Sequence, residues 1–171
     1  MQFITSSIST TLVLLLLGLV VFFVLTAHNL SVYVRENISF SVLISDDMKE
    51  ADILKLQKKL NQEPFVKQSE YISKKQALKE QTEAMGTDPE EFLGYNPFTA
   101  SIEIKLHSDY ANSDSIAKIE KMIKKNTNIQ DVLYRKELID AVNDNIRNIS
   151  LVLLALAVVL TFISFALINN T

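Results

Sequence analysis

Residues 38–60 read ISFSVLISDDMKEADILKLQKKL, and the change of period inside them decides the fold. The first seven alternate, placing Ile38, Phe40, Val42 and Ile44 on one face, as in a strand with one buried side. Ser45 and Asp46 then offer caps to a helix over about 48–61, whose apolar stripe is Ile53, Leu56 and Leu60. Pro64 stops that helix, and residues 65–72 read as a second strand. The same plan returns at 101–106, SIEIKL, where Ile102, Ile104 and Leu106 share a face. A helix over about 113–125 follows, burying Ile116, Ile119 and Ile123, and residues 129–134 close the second unit as a strand. Two β-α-β units of similar length predict an α+β domain, a split β-α-β (ferredoxin-like) sheet with its helices on one face.

Between the units lies an insertion, residues 73–98. Ser73 and Gln76 have capping-box spacing, and Gly86 can end the helix they start. Thr87 or Asp88 caps a short second helix, with Pro89 at its first position and Gly94 at its end. These two helices lie outside the sheet plan and predict a lobe. Met85, Phe92, Leu93, Tyr95 and Phe98 are many large apolar groups for so short a connector. Two readings stay open: a small core seating the lobe on the sheet, or an exposed patch that binds a protein partner.

Outward from this domain the chain turns apolar at both ends. All 17 basic and 20 acidic residues lie between Arg35 and Arg147, so the net charge of −3 averages a polar middle with two charge-free ends. Residues 8–27 and 149–168 each supply 20 residues without Asp, Glu, Lys or Arg. At about 1.5 Å per residue such a helix covers roughly 30 Å, the thickness of a hydrocarbon core. Two transmembrane helices therefore bracket one domain, giving the division 1–28, 29–148 and 149–171. Membrane lipid is an obligatory partner. A single soluble globule, a disordered chain and a nucleic-acid binder with a basic face are excluded.

Lys136 to Ile149 contains neither Pro nor Gly, and Leu138, Val142 and Ile149 keep helical spacing. A helix running unbroken from the domain into the second span would act as a lever; a loop over 143–148, where three Asn cluster, is the alternative.

Enzymatic chemistry finds little support. Cys is absent, and His28 and His107 are separated by much of the domain, so no zinc or Cys/His nucleophile site assembles. There is no Gly-rich phosphate loop. Asp46 with Asp47, and Asp88 with Glu90 and Glu91, stand where helices begin, which capping explains without a metal. No catalytic residue, cofactor or metal is expected.

The segments SSISTTLVLLLLGLV, VRENISFSVLI, YISKKQAL, NPFTASIEIKL and VLYRKELID, in this order and spacing, together resemble FtsX, the membrane subunit of a bacterial cell-division complex of the ABC-transporter permease type. Asn96, Pro97 and Phe98 are similar to the Asn-Pro-Leu/Phe segment before the third extracellular strand of that family. The resemblance implies four spans, of which this chain carries the first two, with a cytoplasmic ATPase-contacting loop and further spans beyond Thr171. It implies a bacterial inner-membrane protein at the division site, a partner ATPase like FtsE, a homodimer, and a periplasmic peptidoglycan hydrolase or coiled-coil activator as the recipient of movement. It also implies that residues 29–148 lie outside the cytoplasm. Charge bias alone points the other way, because Arg35, Arg135, Lys136 and Arg147 all flank the spans on the domain side. The alternative function is a membrane-anchored sensory domain of a histidine kinase or chemoreceptor, which shares the two-span layout.

Overall fold

The computed structural model describes residues 1–170. In chain order the elements are α1 (Gln2–Glu36), β1 (Ser39–Ile44), α2 (Glu50–Leu60), β2 (Val66–Ile72), α3 (Lys74–Met85), α4 (Pro89–Leu93), β3 (Ser101–Leu106), a 3-10 turn (Ser108–Tyr110), α5 (Ser113–Ile123), β4 (Ile129–Leu133) and α6 (Lys136–Asn169). They form two compact units: Arg35–Asp140, and the two apolar helices of Met1–Val34 with Ala141–Thr171.

In the first unit the four strands make one antiparallel sheet in the order β2-β3-β1-β4. This is the split β-α-β order: each crossover helix leaves one strand and returns two places away, over the strand between. Val42 of β1 lies opposite Ile102 of β3 and Val132 of β4, so the alternation read in residues 38–44 meets an apolar partner on both sides. Phe40, Val42, Ile44, Ile102, Ile104 and Leu106 are fully buried. Ile53, Leu56 and Leu60 of α2 and Ile116, Ile119 and Ile123 of α5 cover that face. Each such side chain contributes about 1.5–3 kcal/mol relative to exposure.

One local expectation is corrected. The helix after β1 starts at Glu50, with Lys49 as a cap residue that makes no side-chain bond. Ser45 cannot cap it because it belongs to a turn: its N–H donates to the Asn128 carbonyl, and its carbonyl accepts from Met48 N–H at 3.1 Å. Met48 packs against the core from this corner. The helix also ends at Leu60 with Asn61 as its cap, ahead of Pro64. Before α5, Asn112 is the cap, its side chain accepting from Ser115 N–H at 2.9 Å.

In the second unit, α1 and α6 are each long and apolar enough to cross a membrane. Their least exposed residues follow one spacing. On α1 these are Ser9, Val13, Leu16, Val20, Phe23 and Ala27; on α6 they are Ile146, Ser150, Leu153, Ala157, Leu160, Ser164 and Leu167. Steps of four and three alternate in both, so each helix turns one narrow seam away from solvent. Val13, Ala157 and Ser164 are buried, while Phe22, Phe162 and Phe165 point outward, as lipid-facing side chains do. Hydroxyls fold back onto their own helices: Thr161 and Ser164 donate to the Ala157 and Leu160 carbonyls, each at 2.8 Å. No hydroxyl bond is then owed to lipid at these two positions.

Candidate partner-docking lobe

The insertion is built by its caps. Ser73 Oγ accepts from Gln76 N–H at 3.2 Å, starting α3. The reciprocal half of the capping box is not formed, because the Gln76 amide donates to Glu80 instead, at 3.0 Å. Gly86 ends the helix at φ 72°, its N–H donating to the Thr82 carbonyl. Asp88 then caps α4, its carboxylate accepting from Glu90 N–H at 2.8 Å, with Pro89 at the first helical position. Gly94 repeats the left-handed ending at φ 75°. Two turns that reverse the chain within ten residues require this conformation, and Gly adopts it without a steric penalty.

Asn96 closes the lobe. Its amide donates to the Lys74 carbonyl at 2.9 Å, and its carbonyl oxygen accepts from Phe98 N–H at 2.9 Å. The last residues of the insertion are thereby fastened to the first turn of α3, just ahead of β3. Lys74 also pairs with Asp46 at 2.7 Å, an exposed contact of small energetic weight.

The apolar residues singled out in the sequence divide by exposure. Met85 is 60% exposed, Phe92 76%, Leu93 52% and Tyr95 62%. Phe98 is half-buried, Pro97 exposed and Asn96 half-buried. Neither α3 nor α4 contains a buried residue, so four of the five apolar side chains form no small core of their own. The hydrogen bonding of Asn96 went unread in the sequence, although an Asn before Pro is a turn signal.

Helix α6 runs unbroken from Lys136 to Asn169. Leu138 is 55% and Ile149 47% exposed, and Val142 is half-buried. The residue that anchors α6 in the sheet unit is Ile139, part of the core. Beside it, Ser113 Oγ at the start of α5 donates to the Asp140 carboxylate. At the end of α1, Glu36 pairs with Lys67, which sits at the irregularity in register between Val66 and Gln68 of β2. Such a bulge re-aims a side chain.

Away from the lobe, Lys124 binds Glu120 at 2.6 Å and Asp131 at 2.9 Å. Its ammonium donates to the Asp131 carboxylate and, with the Val132 N–H, holds that group below the ordinary carboxylate range. Burial, and then the hydrogen bond to Glu120, raise the Tyr134 hydroxyl. Among the described residues no three His, Cys, Asp or Glu side chains gather as a metal site.

Residues 37–146 match the FtsX extracellular domain family. The cell division protein FtsX of Flavobacterium johnsoniae is 37% identical over 164 residues, covering 96% of this chain and 56% of that protein. The chain thus spans about half the length of the curated relative it matches. Among solved structures, extracellular domain 1 of FtsX from S. pneumonie, in complex with undecyl-maltoside, aligns with a TM-score of 0.47 and 20% identity, covering 57% of this chain and 93% of that one. The matched segment takes in the whole sheet, the lobe between β2 and β3 and the first turns of α6, and on that match the chain belongs to the FtsX family.

Proposed function

We propose that this chain is the membrane and extracytoplasmic part of an FtsX-type permease subunit, itself without catalytic activity, in the bacterial inner membrane at the division site. It receives ATP-driven movement from a cytoplasmic FtsE-like ATPase, acts as a homodimer, and passes that movement to a periplasmic peptidoglycan hydrolase or its coiled-coil activator. Residues 29–148 face away from the cytoplasm, in keeping with the extracellular family they match and against the bias of Arg35, Arg135, Lys136 and Arg147. The observation that carries the reading is the exposure of Phe92 and Leu93 on α4 of a capped lobe. Exposed aromatic and aliphatic side chains held on short, stapled helices are suited to serve as binding anchors. Met85 and Tyr95 extend the same patch, while Asn96, Pro97 and Phe98 set its base. Helix α6 is the lever: Ile139 and Asp140 hold it to the sheet unit, and the same helix continues through Val142 and Ile149 into the span.

Burying two or three such anchors yields about 1.5–3 kcal/mol each before association costs are met. In the full chain, Phe92→Asp with Leu93→Asp should weaken binding of the hydrolase or activator by about 30-fold or more. Undiminished affinity in a folded double variant would sink the docking role of the lobe.

A further inference from the structure

Charge is unevenly distributed over the extracytoplasmic unit. Lys and Arg occur up to Lys79 and again from Lys105, but none stands from Glu80 to Ile104. Within that gap the lobe carries Glu80, Glu83, Asp88, Glu90 and Glu91. Asp88 is committed to capping α4. The other four are exposed, and Glu83 pairs only loosely with Lys79, at 3.9 Å between two well exposed side chains. Glu90 and Glu91 directly precede Phe92. The lobe's basic residues, Lys74, Lys75 and Lys79, stand in the first half of α3, with Lys74 and Lys79 each paired to a carboxylate, while the stretch that carries the exposed apolar patch holds acidic charge alone.

Complementarity then specifies the partner. An apolar cluster that meets Phe92, Leu93, Met85 and Tyr95 brings its own flanking side chains against Glu80, Glu83, Glu90 and Glu91. Acidic flanks there would be repelled, and cationic ones attracted and steered. An anionic lipid surface is repelled for the same reason. On a second copy of this chain, exposed basic side chains stand near exposed Leu54 and Met122 on α2 and α5 and, at Arg135 and Lys136, between exposed Leu133 and Leu138, so self-association through the lobe is one outcome of the test. We infer that the lobe docks a basic amphipathic protein segment, an apolar stripe flanked by Lys or Arg. This inference rests on the docking reading above and adds the chemical class of the partner.

The test uses the full chain in phosphatidylcholine nanodiscs, with empty discs as the blank. The probes are three amphipathic helical peptides sharing one leucine stripe and differing only in the polar face: Lys/Arg, Gln or Glu. Fluorescence anisotropy should show the basic peptide binding about tenfold or more tightly than the Gln peptide at low salt, with the advantage largely gone at about 0.5 M salt, where charges are screened within a few ångströms. Replacing Glu80, Glu83, Glu90 and Glu91 by Gln should abolish the preference and leave the Gln peptide's affinity within about twofold. Equal binding of all three peptides overturns the cationic assignment and leaves the docking lobe standing. Basic-peptide binding that survives Phe92→Asp with Leu93→Asp overturns both. Failure of every peptide, or self-association of the chain through the lobe, overturns the basic-segment assignment alone.

Discussion

The side-chain amide of Asn96 reaches the backbone carbonyl of Lys74 across 2.9 Å, joining residues 22 positions apart. With its second bond, to Phe98 N–H, this residue turns an insertion between two strands into a closed lobe. The Asn-Pro-Phe segment singled out in the sequence is thus a fastening, and the exposed apolar side chains Met85, Phe92, Leu93 and Tyr95 lie elsewhere on the lobe.

Asn96→Ala removes both bonds and should cost about 1–3 kcal/mol, each bond contributing about 0.5–1.5 kcal/mol net. Hydrogen exchange of the full chain should quicken in residues 74–98 and stay unchanged in β1 and β4. Uniform acceleration across the sheet would show that the bonds support the whole unit and not the lobe in particular.

Ala157 lies on the sheltered seam of α6 and is 5% exposed. Ala157→Leu should overpack it and destabilise the helix pair by about 1–3 kcal/mol. Val158→Leu, one position on and 47% exposed, should be close to neutral. Comparing denaturant midpoints of the two variants in detergent checks the seam, and equal midpoints would contradict it.

Asp131 gives a pH dependence whose sign follows from its partners. Lys124, and after it the Val132 N–H, lower its folded pKa below the unfolded value. The carboxylate therefore adds stability that is fully present above the ordinary carboxylate pKa of about 4 and is lost as pH falls through the lowered folded value. Calorimetry of the full chain should find Asp131→Asn less stable than wild type near neutral pH, with the gap closing as the solution is acidified below about pH 4. A gap that widens on acidification would reverse the assignment.

Strands and core were legible because the side-chain period of a strand admits only one buried set. Ile38, Phe40, Val42 and Ile44 announced a face, and Phe40, Val42 and Ile44 lie fully buried on it. Caps were legible where the cap is local: Ser73, Asp88, Gly86 and Gly94 act within a few residues of themselves. Ser45 misled because its backbone is engaged by Asn128, a partner that periodicity cannot see. Asn96 stands out in the sequence as a motif residue, yet its purpose depends on Lys74, which only folding brings near.

By itself the sequence determined the two apolar helices, the tandem β-α-β plan and the lobe's helix ends, since each follows from local period, length or backbone freedom. The strand order β2-β3-β1-β4 is the one that plan implies, and the tertiary structure decided the rest: the exposure of Met85, Phe92, Leu93 and Tyr95, and the anchoring of α6 through Ile139 while Leu138 stays outside the core. Burial is a property of neighbours distant in the chain, and an apolar side chain carries no local mark of whether such neighbours will cover it.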